Sequence, residues 1–345
     1  MTADYKLTKW LPQKEVDYNL VNSILRSSIE NNQFSNNGPV VDLLQKELKS
    51  LLDISEEKSV ILTSHGTMAI QAIVGMLSRK YGRKLKVVTQ SFTFPSSALL
   101  YCSDATIVDI DEEGGPNLEE VPLDTDVLIV TNVFGHFVDL EKYEKFCKDN
   151  NIFLLFDNAA SALTYENNIN ICNRGDACIV SLHHTKPLGF GEGGFIVISK
   201  KFLDEINDII GFGLGPERLT WSKFAMNARM SDVSAAYILQ YIIKNADSLK
   251  KLSLIQTKFC EEIVESGVSL YPTKNSTFCV RSCLPILTNV DIKSFIVSGI
   301  EAKKYYKPLT SSKVANSLYN KIICLPFHID ITSEDLHIYR SILLR

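Results

Sequence analysis

Two segments decide the reading of this chain: Ile152-Phe153-Leu154-Leu155-Phe156-Asp157, an apolar run closed by an acid, and Ala177-Cys178-Ile179-Val180-Ser181-Leu182-His183-His184-Thr185-Lys186, an apolar run closed by a lysine. Runs of this length bounded by polar residues read as buried strands of a parallel sheet. Taken singly, an aspartate at a strand end is a turn or cap residue and a lone lysine is a surface charge. Taken together they fit a pyridine aldehyde cofactor: a carboxylate keeps the ring nitrogen protonated and an amine forms a Schiff base with the aldehyde. Asp157 and Lys186 are the candidates for these roles, and pyridoxal 5'-phosphate is the expected cofactor.

The same alternation extends outward from these segments. Strands are expected at 59–63, 85–89, 106–109, 127–130, 152–156, 177–182 and 195–198, with helical periodicity over 40–52, 67–81, 93–101 and 140–149. Seven strands with crossover helices predict one large, mostly parallel α/β sheet. A long helical pattern over 231–252 follows, and then a different rhythm of short strands and helices, at 278–281, 291–297, 322–325 and 333–344. The expected division is a large cofactor-binding domain over 1–245 and a small C-terminal α+β domain over 246–345, since single cores rarely exceed about 250 to 300 residues. The N-terminal segment is a candidate to pack on the small domain.

Composition narrows the function classes. With 45% hydrophobic and 22% charged residues and a net charge of −4, the 345-residue chain is ordinary globular protein without the basic footprint of a nucleic-acid binder. Its opening residues, Met1-Thr2-Ala3-Asp4-Tyr5-Lys6, lack the pattern of a secretion signal, and no apolar run reaches membrane-spanning length, so the expected location is cytoplasmic with no membrane partner. The eight cysteines show no Cys-x-x-Cys spacing and are expected to be reduced and mostly buried. No metal site is expected.

Ser64-His65-Gly66-Thr67-Met68-Ala69 closes a strand and opens a helix. Gly66 and Thr67 could seat a phosphate on the positive helix end, or the turn could be a simple N-cap. Ser181 could give the same phosphate another hydroxyl. Phe94, in Ser91-Phe92-Thr93-Phe94-Pro95-Ser96-Ser97, could stack on a flat cofactor or belong to the core. Gly189-Phe190-Gly191-Glu192-Gly193-Gly194 has a GxGxxG spacing, but a strand follows it, so a dinucleotide site is not expected; Gly211-Phe212-Gly213-Leu214-Gly215 lacks a preceding strand. His183 and His184 point to opposite faces if the strand pattern persists, and His183 is the candidate for the substrate side.

These residues resemble the DegT/DnrJ/StrS family of sugar aminotransferases over nearly the whole chain. Asn37-Gly38-Pro39-Val40-Val41 is similar to its opening turn, Ser64-His65-Gly66-Thr67 to its phosphate turn, and Ser91-Phe92-Thr93-Phe94 to its stacking segment. Ser181 to Gly194 is similar to its lysine signature, with Lys186 in the Schiff-base position rather than the histidine of the related sugar dehydratases. Asn227-Ala228-Arg229-Met230-Ser231-Asp232 resembles an element whose asparagine reaches the cofactor phosphate of the partner subunit, which implies a homodimer with shared sites and puts Arg229 on the substrate side. Tyr305-Tyr306-Lys307-Pro308-Leu309 and Cys324-Leu325-Pro326-Phe327-His328 are similar to the family's small-domain pattern.

The resemblance implies the aspartate-aminotransferase type of fold (fold type I) and a ping-pong transfer from L-glutamate through pyridoxamine 5'-phosphate. The implied acceptor is a 4-keto-6-deoxyhexose on dTDP or UDP, giving a 4-amino-4,6-dideoxy sugar of the viosamine type. A 3-keto sugar, an amino-acid lyase or racemase reaction, and a non-catalytic binding module are the alternatives. Two positions depart from the pattern. Ala160 stands where the family places a Gln or His against the cofactor's phenolic oxygen, and Ala225-Met226 precede Asn227 in place of a glycine and an aromatic residue.

Overall fold

A computed structural model describes residues 7–215, 217, 220–271 and 278–344. The segment read above for a signal, residues 1–6, lies outside them. Thirteen strands are described: β1 (Lys58–Thr63), β2 (Val87–Gln90), β3 (Thr106–Val108), β4 (Val127–Thr131), β5 (Phe153–Asp157), β6 (Thr164–Glu166), β7 (Ile169–Asn170), β8 (Ala177–Ser181), β9 (Gly194–Ser199), β10 (Ser269–Leu270), β11 (Phe278–Cys279), β12 (Cys283–Leu287) and β13 (Ile322–Pro326). The α-helices are α1 (Tyr18–Glu30), α2 (Pro39–Leu51), α3 (Gly66–Tyr81), α4 (Leu140–Asn150), α5 (Leu203–Ile209), α6 (Asp232–Glu265), α7 (Ile292–Val297), α8 (Lys313–Lys321) and α9 (Ser333–Leu343).

All seven expected strands join one sheet in the order β1-β9-β8-β5-β4-β2-β3. β9 runs antiparallel to both neighbours, and the other pairings are parallel. The connections explain the exception: β8 passes to β9 through a loop without a crossover helix, and a parallel return requires one. Side chains alternate across the sheet. Ile129, Leu155, Ile179 and Ile196 pack with α3 and α5 on one face, while Leu128, Leu154, Cys178 and Val197 pack with α2, α4 and the start of α6 on the other. Both faces are covered, so the strands are apolar throughout, as their sequence shows.

One expected helix differs. Residues 93–101 form two 3-10 turns, Pro95–Ala98 and Leu100–Cys102, because Leu99 is extended and Leu100 takes a positive φ of 51° between them. The helical pattern at 231–252 continues to Glu265, so α6 is one unbroken 34-residue helix and residue 245 lies within it. Its first half packs in the large core. Its second half, through Phe259 and Ile263, packs on a separate core with Leu284, Ile286, Phe295, Ile323, Leu325 and Tyr339 of the small β10-β12-β13 sheet and its helices. Asp232 at the first turn of α6 is fully buried; its carboxylate accepts from the amides of Val40 and Val41, 3.1 Å each, and from the Ser28 hydroxyl. It thereby caps α2 and ties the Gly38-Pro39 turn to the Asn227–Asp232 element. A Cβ at residue 38 would lie 2.4 Å from that carboxylate, which accounts for the glycine.

Candidate active site

A cavity of about 380 Å³ opens at the carboxyl ends of β5 and β8, the edge at which open α/β sheets bind ligands. Gly66, Thr67, Phe94, Asp157, Ala160, Ser181, His183 and Lys186 all line it. The structure thus brings eight of the ten expected site residues to one space.

Asp157 is the last residue of β5 and is 2% exposed; its Oδ1 accepts from the Ala159 amide at 3.0 Å. Burial raises its pKa to about 6, against the opposing pull of that amide and of Lys186. Lys186 lies in the turn after β8, where its amide donates to the His183 carbonyl at 2.8 Å and its own carbonyl accepts from Gly189 at 3.0 Å. Burial lowers the pKa of its amine and the Asp157 charge holds it up. Each charge therefore moderates the other's desolvation across the cavity.

The start of α3 supplies an anion seat. Among the described residues no side chain caps this helix, which leaves its first amides, at Gly66 and Thr67 on the cavity wall, without a side-chain acceptor. The Thr67 hydroxyl lies 2.7 Å from that of Ser96, and Ser181 stands against Gly66, where an added Cβ would come 3.1 Å from the Ser181 Cβ. Gly194 opens β9 directly behind: a Cβ there would sit 2.4 Å from the Gly66 amide nitrogen. Absent side chains at 66 and 194 thus leave a cradle bounded by backbone N–H groups and hydroxyls.

Phe94 is 59% exposed at the cavity edge, its ring 6.5 Å from that of Tyr306 in an edge-on arrangement. One face of Phe94 is free to cover a planar ligand. His183 reaches Thr185 Oγ1 at 2.9 Å and Glu192 at 3.5 Å. His184 turns away and packs its ring on Phe190 at 5.6 Å, so the two histidines do point apart. Ala160 leaves a gap with no hydrogen-bonding group of its own.

Asn227 and Arg229 do not line the cavity. Asn227 is exposed on the stretch that bridges to Gly211, and Arg229 donates to Asn36 at 3.0 Å and to the Asn207 carbonyl.

Several lining residues escaped the sequence reading as site residues. Ser96 sits beyond the end of β2, Thr131 ends β4 and Asn132 follows it, so the strand-end rule applied to every parallel strand would have found them. Trp10, Tyr305, Tyr306 and Cys283 come from the N-terminal segment and the small lobe, and no local pattern joins these to the sheet edge. Tyr306 stacks on Phe134 at 5.4 Å, and burial strongly raises its hydroxyl pKa.

The residues fit the cofactor that the sequence led us to expect: a buried carboxylate, an amine without a hydrogen-bond partner among the described residues, an anion cradle and an exposed aromatic face share one cavity. Comparison with known proteins agrees. The chain is 24% identical to a dTDP-4-amino-4,6-dideoxy-D-glucose transaminase of Shigella dysenteriae, with 89% of this chain and 90% of that one covered. It is 24% identical to a UDP-4-amino-4,6-dideoxy-N-acetyl-beta-L-altrosamine transaminase of Campylobacter jejuni, covering 72% and 76%. In fold it resembles Helicobacter pylori PseC, an aminotransferase involved in the biosynthesis of pseudoaminic acid, with a TM-score of 0.83 at 19% identity over 98% of both chains. The family model for DegT/DnrJ/EryC1/StrS aminotransferases matches residues 17–342, and this chain belongs to that family.

Proposed function

We propose that this protein is a pyridoxal 5'-phosphate-dependent aminotransferase that moves the amino group of L-glutamate to the 4-keto carbon of a nucleotide-linked 4-keto-6-deoxyhexose, carried on dTDP or UDP, giving a viosamine-type 4-amino-4,6-dideoxy sugar. The observation that carries the reading is the placement of Asp157, Lys186 and the α3 cradle on one cavity. The relatives that act on dTDP- and UDP-linked 4-amino-4,6-dideoxy sugars support the substrate class. When bound, the cofactor supplies an electron-withdrawing ring that makes the donor's Cα hydrogen acidic, and it stores the amino group as pyridoxamine 5'-phosphate between half-reactions.

The chain's own groups do the rest. Asp157 would hold the ring nitrogen, and its burial strengthens any charge-assisted contact made there. Thr67, Ser96, Ser181 and the α3 amides would hold the phosphate, and Phe94 would cover the ring. The Lys186 amine, whose pKa burial lowers, is the group that would take the proton from the donor's Cα and deliver one to the acceptor carbon. His183 and Glu192 at the mouth would face the sugar. The reading takes residues 1–245 as the cofactor lobe and 246–345 as the small lobe. It takes the enzyme as a cytoplasmic homodimer in which the exposed Asn227 and the half-buried Arg229 serve the neighbouring copy's cavity. Among the described residues no helix is long and apolar enough to cross a membrane.

The test is incubation with glutamate and a panel of 3-keto and 4-keto nucleotide sugars, with the nitrogen position of the product read by NMR. A C4 amine is expected, and a C3 amine would reassign the acceptor. Glutamate alone should release 2-oxoglutarate once per site; its absence would refute the transaminase half-reaction.

A further inference from the structure

The N-terminal segment before α1 is a strap fastened to the small lobe. Thr8 exchanges backbone hydrogen bonds with Gly299 and Glu301, at 2.8 and 3.0 Å, and its hydroxyl donates to Asp335 at 2.6 Å. The Lys9 carbonyl lies 3.0 Å from His328 Nε2, the Trp10 amide donates to Glu301 at 2.6 Å, and the Gln13 amide donates to Asp330 at 2.7 Å. The next residue, Lys14, leaves the small lobe and crosses to the catalytic turn. Its ammonium donates to the Lys186 carbonyl at 3.0 Å and to the Gly189 carbonyl, and sits 4.3 Å from the centroid of the Tyr241 ring on α6.

Two carbonyls and a ring face are three acceptors and no donor. An ammonium has three N–H bonds to meet them; a neutral amine has two, and its lone pair would face one of the three. No carboxylate among the described residues lies within ion-pair distance, so the cation is held by dipoles and a ring. The carbonyls it binds open and close the turn from Lys186 to Gly189, itself held by the Gly189 amide on Lys186 O. A side chain at 189 would run into the His183 carbonyl at 1.9 Å, so the turn has one tight path for Lys14 to grip.

We propose that Lys14 is a positioning residue for Lys186: its ammonium, delivered by the strap, clamps the 186–189 turn against α6 and ties the direction of the Lys186 side chain to the seating of the small lobe. This rests on the reading of Lys186 as the amine that carries the cofactor. Burial without a counter-ion brings the pKa of Lys14 down to about 7, so the clamp titrates within the working range of the protein. The groups around it are Tyr241 on α6, His184 and Lys186 of the catalytic segment, Arg281, and His328 and Asp330 of the small lobe. Burial lowers the pKa of both histidines and of Lys186 and raises that of Tyr241 to about 12, so the step near neutrality that belongs to the clamp is the one that replacing Lys14 removes.

Amide hydrogen exchange of the segment 183–190 in the full-length protein tests this. Below neutrality, Lys14→Met should exchange about tenfold faster there than the parent, the scale expected for losing hydrogen bonds to a charged donor. Lys14→Arg, which keeps a cation and several donors, should stay near the parent. Corrected for intrinsic exchange, parent protection should fall as pH rises through about 7, and the Met variant should show no such step. Parent-like protection in Lys14→Met, or a parent profile flat through neutrality, would overturn the proposal. If the Met variant does not fold, Lys14→Arg decides: its side chain stays charged, so its protection should not fall through neutrality, and a step like the parent's would overturn the clamp. Borohydride reduction of the cofactor onto the protein separates the two claims. Label on Lys186 with unchanged exchange sinks the clamp alone, whereas changed exchange with label elsewhere sinks the cofactor assignment.

Discussion

Burial sets Asp157 and Lys186 against each other, and the consequence is measurable at each residue. Asp157 is raised to about 6, and the largest influence opposing the fall of the Lys186 pKa is the Asp157 charge. Asp157→Asn keeps the shape and removes that charge, so Lys186 should become reactive toward an amine-directed reagent at lower pH, as followed by peptide mass mapping of the cofactor-free protein. An unchanged labelling profile would mean the two groups do not sense each other. Lys186→Ala should lower turnover by at least the ~10²- to 10⁴-fold that a positioned acid–base group supplies, while dialysis and absorbance show that cofactor still binds in the α3 cradle. Both residues stood out in the sequence because Asp157 ends an apolar strand and Lys186 follows one, in the turn after Ser181. Ser96 and Tyr306 were not picked out: Ser96 sits in a turn whose helical pattern misled, and Tyr306 reaches the cavity only through packing of the small lobe.

Elements rather than residues make the cradle. Gly194 of β9 presses on the first amide of α3, and Gly194→Ala should destabilise the protein by about 1 to 3 kcal/mol, as overpacking does, and weaken phosphate affinity along with it. Chemical denaturation and cofactor titration read the two effects, and a neutral result would show that β9 can shift without disturbing α3. Gln256 of α6 holds the small lobe: it donates to the Arg281 and Phe327 carbonyls at 2.9 and 2.6 Å and accepts from the Arg281 amide at 2.8 Å. Gln256→Ala leaves these buried groups unmet and should cost about 2 to 4 kcal/mol, measured by urea unfolding. Strands were easier to place from sequence than helices here. A strand covered on both faces is apolar at every position, whereas the segment 93–101 keeps helical spacing although Pro95 and the positive φ of Leu100 restrict it to 3-10 turns.

At the scale of the whole molecule, the separation of Asn227 from its own cavity becomes a prediction about assembly. If a second copy supplies that asparagine, Lys186→Ala and Asn227→Asp should each be impaired, yet mixing and reassociating them should restore about a quarter of the parent activity. Half the pairs would be mixed, and each mixed pair of a two-fold dimer holds one intact site. No recovery on mixing would mean that Asn227 acts within its own subunit and not across a dimer. The sequence foretold the seven-stranded sheet, but the strap's path over the small lobe depends on contacts between residues some 300 positions apart, such as Thr8 with Asp335, which no local spacing encodes. The unbroken run of α6 has a mechanical meaning. A helix of this length is a beam about 50 Å long at 1.5 Å rise per residue, clamped at its root by Asp232 and loaded at its far end by the small lobe. Such a beam should resist a sharp fold at mid-span, which would leave any widening of the cavity mouth to the thinner members around it, the strap and the Lys186 turn.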